Sequence, residues 1–229
     1  MKVHIQQLPI NKIHIILNPV LQDFIILQLR KKCKSIAEIA RFTKISKSVT
    51  SRFISKKHDK IRLDFLLKMT NLLSIQTNKL ERNIQWIGHQ NSKGINNPKL
   101  PFTFNSRSAA RFLAAICNEG WISDGAYYSN SSKELRRSVK LDSIKVFGDC
   151  NHSIRDHIKE NDQYLAFPAI IREVLQIITS FKGIKSENNP HIPKCIFQNK
   201  QMMCGWIEQT IADEGSVMHY PHKYRREIS

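Results

Sequence analysis

The segment KSVTSRFI, residues 47–54, sets Lys47, Ser48, Thr50, Ser51 and Arg52 within six positions. Two cations and three short hydroxyls so close together suit a polyanion. Lys and Arg meet phosphates or guanine edges, and short hydroxyls let the backbone come near a groove. A second pair of reactive groups stands far apart in the chain. FLAAICNEG and IEQTIADEG are apolar or small-residue runs that both end in Glu-Gly, at Glu119 and Glu214. If both runs are helical, both carboxylates sit at C-terminal helix ends, where the dipole disfavours an anion.

The surrounding pattern says which elements carry these groups. Ser35 and Glu38 form a capping box that opens a helix with Ile36, Ile39 and Ala40 on one face. Ser46 caps a second short helix, in which Val49 and Phe53 are an i, i+4 apolar pair and the five polar residues are the remainder. LQDFIILQLRKK before the pair and LDFLLKMTNLLSI after it read as further helices, which makes residues 1–87 an all-helical first domain. GHQNSKGINNPKLPFTFNSRS is rich in Asn, Ser, Gly and Pro and reads as a linker over 88–107. The second domain, 108–229, opens with the helix SAARFLAAICNEG, whose Ala109, Ala110, Ala114 and Ala115 let another helix backbone come close. WISDGAYYS reads as a strand with a turn at Asp124-Gly125. RRSVKLDSIKVFG reads as a second strand, with Val139 and Leu141 on one side and Ser138, Lys140 and Asp142 on the other. Arg137 and Lys140 are then on the side offered to a polyanion. FPAIIREVLQIITSFKG is a helix with Ile171, Val174, Leu175 and Ile178 as its apolar face.

Charge points the same way. The 229 residues hold 36 Lys plus Arg against 19 Asp plus Glu, a formal net charge of +17. Residues 1–90 carry 17 of the basic and only 5 of the acidic side chains. Nucleic acid is the simplest partner for such an excess. No apolar run approaches the length of a membrane span, and MKVHIQQLPINK lacks a signal-peptide core. Five scattered cysteines without a CxxC pair fit a reducing compartment, so a cytoplasmic location is expected. Cys150, His152 and His157 lack a familiar zinc spacing.

SIAEIARFTKISKSVTSRFISKK resembles the helix-turn-helix domain of phage-type repressors, over roughly Leu21 to Ile75. FLAAICNEG and IEQTIADEG resemble the two signature helices of the LAGLIDADG homing-endonuclease family, and the likeness runs from Ser108 to Ser229. The second resemblance implies an α+β fold with an αββαββα-type domain. In that family the signature helices pack side by side between two saddle-shaped antiparallel sheets that lie in the DNA major groove. It also implies that Glu119 and Glu214 are catalytic acids, each holding a divalent metal, Mg2+, at a scissile phosphate. A bound cation would offset the adverse dipole and activate water for hydrolysis.

The chain departs from the family pattern in several places. Cys117 and Ala212 stand where the earlier acid belongs, Asn118 and Asp213 where a small residue is usual, and Ala114 and Gln209 where a glycine packs the seam. Gln209 is large for that position and implies a rotated or loosely docked second helix. Only 14 residues follow Gly215, so the second repeat is expected to be incomplete. SVMHYPHKYRREIS would supply one short strand with His219, Lys223, Arg225 and Arg226, and a homodimer would be one way to complete the groove. The expected function is therefore binding of double-stranded DNA by a protein of this type, ancestrally a metal-dependent phosphodiesterase. The alternative is a non-catalytic helix-turn-helix regulator. Basic strands would also serve RNA, but no aromatic stacking platform is evident in the sequence.

Overall fold

The computed structural model describes residues 1–57, 59–159, 162–179 and 191–214, and the backbone of 217–220 and 225–228. The chain begins with β1 (Lys2–Val3) and β2 (Ile13–Leu17). In β2, Ile13, Ile15 and Leu17 are buried while His14 and Ile16 are half exposed, the two-residue period of a strand. Then come α1 (Pro19–Lys32), α2 (Ile36–Thr43), α3 (Lys47–Ile54), β3 (Ile61–Arg62), α4 (Leu63–Leu72), α5 (Thr77–Glu81), β4 (Ile84–His89) and β5 (Ile95–Asn96). The four strands β2 to β5 form an antiparallel sheet in the order β3-β2-β4-β5.

The first domain is therefore not all-helical. The strands IHIIL and IQWIGH lie about seventy residues apart and pair from Ile13↔His89 to Leu17↔Ile84. No local periodicity announces that partnership. The stretch 88–107 holds β5 and β6 (Phe102–Thr103), and β6 pairs with β1. The Phe104 amide donates to the Met1 carbonyl at 2.8 Å, which ties the start of the chain to the approach of the second half.

The second half runs α6 (Arg107–Glu119), β7 (Gly120–Ile122), β8 (Ala126–Ser129), α7 (Lys133–Phe147), β9 (Arg155–Lys159), β10 (Asp162–Phe167), α8 (Ala169–Thr179) and α9 (Lys200–Glu214). Backbone segments β11 (Val217–Tyr220) and β12 (Arg225–Ile228) then pair antiparallel. The side chains of His219, Arg225 and Arg226, and all of Lys223, lie outside the described residues. The protein is thus a mixed α+β structure with antiparallel sheets. The second large sheet has the order β7-β8-β10-β9. Phe112 of α6 meets Phe167 of β10 edge-on at 5.3 Å, so α6 covers one face of that sheet.

RRSVKLDSIKVFG, read as a strand, is instead most of helix α7. Ser132 caps it by accepting from the Leu135 amide, and Arg136, Val139, Ser143, Val146 and Phe147 recur on a buried face. The alternation that suggested a strand rested on Leu141, which is 49% exposed. The helix stops at Gly148, whose φ of 104° favours glycine. Two ion pairs, each with one buried member, fix α7. Arg111 of α6 grips the buried Asp142 through two bonds of 2.7 Å. The buried Arg136 donates to Asp156, to Gln163 and to the carbonyls of Asn130 and Ser131. Removing Arg111 or Asp156 would leave the buried Asp142 or Arg136 without its counter-charge, which is destabilising.

The apolar core is continuous across both halves. Helix α8 packs on β4, where Glu173 meets His89 at 3.3 Å and is ion-paired to Arg172. Burial alone would raise the Glu173 carboxyl. Bonds from His89 and Arg172 and their charges win, and lower it to about 2. Among the described residues no helix is long and apolar enough to cross a membrane. A depressed carboxyl contributes stability above its unfolded value, near 4.5, and loses it as pH falls toward about 2. Chemical denaturation at pH 7 and pH 3 should therefore show Glu173→Gln destabilising clearly at pH 7 and much less at pH 3.

Candidate nucleic-acid interface and carboxylate site

Helices α2 and α3 are set by their caps. The Ser35 side chain accepts from the Glu38 amide, and the Glu38 carboxylate accepts from the Lys34 amide, one residue ahead of the expected box partner. Lys44 ends α2 in the left-handed region, and Ser46 accepts from the Val49 amide to open α3. Lys47, Ser48 and Arg52 are exposed and Ser51 is half buried. Thr50 is not on that surface. It is 0% exposed, and its hydroxyl donates to the Ser46 carbonyl at 3.1 Å. It fills a core position and satisfies its own polar group locally, and Lys47, Ser48 and Arg52 are left on the exposed side of α3.

The two Glu-Gly helices pack against each other along their length. The backbones come close at Gly205, where an added Cβ would lie 2.5 Å from the Arg107 carbonyl oxygen. Arg107 also pairs with Glu208 of α9. Gln209, expected to disturb the seam, is buried in it at 3% exposure and donates to Asp213 at 2.9 Å. Nearer the C-terminal ends, Asn118 donates to Thr210 at 3.1 Å. Gly120 follows Glu119 in extended conformation, φ −103°, so its role is space and not a left-handed cap. A Cβ there would lie 2.5 Å from the Tyr127 carbonyl oxygen and 2.6 Å from that of Ile116.

The acid brought into Glu119's field is Asp213, and Glu214 is exposed. Asp213 Oδ1 accepts from the Tyr128 hydroxyl at 2.5 Å and from Gln209. Its Oδ2 is enclosed and accepts nothing from the protein. Burial, then the charge of Glu119, raise the Asp213 carboxyl against the bonds that would lower it. Burial likewise raises the Tyr128 hydroxyl, which stays a donor. Two carboxylates at adjoining helix ends, one with an unused oxygen, are hard donors of the kind Mg2+ takes. Among the described residues no group of three or more His, Cys, Asp or Glu side chains could hold a metal ion. A cation at Glu119 and Asp213 would therefore complete its shell with phosphate or water oxygens.

The antiparallel register sorts the second sheet into two faces. Ile122, Ala126, Tyr128, Leu165 and Phe167 are buried on one. Trp121 pairs with Tyr127, Tyr127 with Ala166, Ala166 with Arg155, and Tyr164 with His157 on the other. There Trp121 stacks on Tyr127 at 4.6 Å, His157 stacks on Tyr164 at 4.5 Å, and Tyr127 meets Tyr164 edge-on at 5.8 Å. Arg155 and Lys159 flank this row and are exposed. The sequence reading missed the row because its members come from four strands. The usable signal was the alternation in AYYS and RDHIK. Arg137 and Lys140, expected on a strand, stand on α7, which packs against α6. Arg137 is exposed and Lys140 half buried there.

Comparison of the sequence with protein-family models and with curated proteins finds no match.

The seam and its acids lead to two expectations. Gly205→Ala should separate the helices and destabilise the fold by roughly 1–3 kcal/mol, measured by urea denaturation. Asp213→Asn should raise the melting temperature at pH 7 by roughly 2–4 °C, the equivalent of about 1 kcal/mol, because it replaces a half-buried carboxyl whose ionised form burial and Glu119 both disfavour.

Proposed function

We propose that this chain binds duplex DNA on the plan of a LAGLIDADG homing endonuclease, with a helix-turn-helix module joined to it. The observation that carries the reading is the α6–α9 seam, which ends in Glu119 and Asp213 beside an antiparallel sheet with a basic, aromatic open face. The element order αββαββα from α6 to α8 supports it, as do the exposed Lys47, Ser48 and Arg52 on α3 and the net charge of +17. Glu119 and Asp213 would hold a divalent cation, which supplies charge neutralisation and polarises a phosphate oxygen. Glu119 offers its carboxylate from the end of α6. Tyr128 and Gln209 hold Asp213 Oδ1, and a cation would reach the enclosed Oδ2 only as the helix ends part around it. Asp213, and not the exposed Glu214, is the acid in the field of Glu119, so the centre assigned here departs from the symmetric pair of acids that cutting both strands needs. Binding is therefore assigned as the principal activity and cleavage as weak.

A second reading is recognition of unpaired bases, for which the observation is the row of Trp121, Tyr127, Tyr164 and His157.

The test uses the full chain and duplexes selected from a random library. Binding should weaken with salt with a log-log slope of about −4 or steeper, the response of roughly five or more phosphate contacts. Glu119→Gln should leave DNA affinity within about twofold while removing the Mg2+-dependent rise in melting temperature. Single-stranded RNA that competes better than duplex would favour the second reading. Robust Mg2+- or Mn2+-dependent plasmid cleavage, abolished by EDTA and by Glu119→Gln, would overturn the assignment of weak cutting.

A further inference from the structure

An open cleft of about 1000 Å3 separates α3 from the outer face of the first sheet. Arg52 and Phe53 line it from α3, Lys12 and His14 from β2 and its approach, and Lys60 and Arg62 from β3 and its approach. The cations differ in how they are held. Arg62 is neutralised by Asp64 through bonds of 2.6 and 2.8 Å and lies over the Phe65 ring. Lys60 sits 4.1 Å above the Trp86 ring, a contact that leaves its charge uncompensated. Lys12, Arg52 and Lys60 are exposed and make no ion pair among the described residues. Among the described residues that line the cleft, Asp59 is the one acid. His14 Nδ1 is enclosed without a partner.

We propose that this cleft is a second phosphate-binding surface, which takes the DNA backbone as it passes α3. The inference rests on the duplex-DNA reading above and extends the contact from the helix pair to the first sheet. Three features favour a polymer over a small anion. The cleft is open. Its unpaired cations come from three separate chain segments. Arg52 belongs both to the cleft and to the exposed Ser48–Arg52 stripe of α3, so one backbone would touch both.

The test compares the full-length chain with Lys12→Gln/Lys60→Gln on one selected duplex across a salt series. A control, Lys2→Gln/Lys194→Gln, removes the same charge from exposed sites outside the cleft. The cleft variant should lose about two units of log-log salt slope and bind on the order of tenfold more weakly at 0.15 M salt. Each single variant should lose about one unit, and the control should match the parent chain. Melting temperatures within about 2 °C of the parent establish that the fold is kept. An unchanged slope in the cleft variant, or an equal loss in the control, overturns the cleft while leaving the duplex-DNA reading in place. No duplex binding by the parent chain overturns both. Inorganic phosphate and ATP are titrated by calorimetry in parallel, and no saturable binding is expected. One-to-one ATP binding that disappears in the cleft variant would overturn the DNA assignment in favour of a free nucleotide.

Discussion

The close packing of α6 on α9 is the constraint on which the rest of the second half depends. Gly205 admits the Arg107 backbone at a distance no side chain would tolerate. Ala109, Ala110, Ala114 and Ala115 are all fully buried on α6. Two helices held this closely bring their C-terminal ends together, and with them Glu119, Asn118 and Asp213. The adverse placement of carboxylates at helix ends is thereby concentrated at one spot. Burial and the charge of Glu119 both work against an ionised Asp213. A fold selected only for stability would avoid such a pair. A buried carboxyl raised beside a second carboxylate is the kind of group that binding and catalytic sites hold, and structural networks hold such groups too.

The same seam governs the sheet. Because α6 covers its inner face, consecutive tyrosines of β8 have different fates. Tyr128 turns inward and donates to Asp213, while Tyr127 turns outward and stacks on Trp121. One short strand thus links the carboxylate site to the open aromatic face. Any displacement of β8 would act on both at once, since the pleat fixes the two side chains relative to each other.

The first half is tied to this frame and does not hang from it on a tether. β1 pairs with β6, Glu173 of α8 meets His89 of β4, and the backbone of Asn96 bridges to Asp149. Ser153 adds a bond of 2.6 Å to the Gly94 carbonyl. The orientation of α3 relative to the first sheet, which creates the basic cleft, follows from the same core.

Much of the α2–α3 pair was legible in the sequence because its determinants are local. Ser35 and Ser46 cap within three residues, and Ile39 and Phe53 point inward by helical period alone. The Glu-Gly runs were legible as helices for the same reason. The strand assigned to RRSVKLDSIKVFG failed where two periods compete. Val139 and Leu141 alternate, but Arg136, Val139, Ser143 and Val146 recur at helical spacing, and only contact with α6 decides between them. The sheet of the first half, the aromatic row and the cleft were not legible, because each joins segments from well-separated parts of the chain. Thr50 and Asp213 show the same division at single residues. The sequence determined that a hydroxyl and a carboxylate would stand there. The tertiary structure decided that Thr50 is buried beneath α3, and that Asp213, one position before Glu214, meets the charge of Glu119. Each further helical residue turns a side chain by about 100°, so one position moves a group from solvent into a seam.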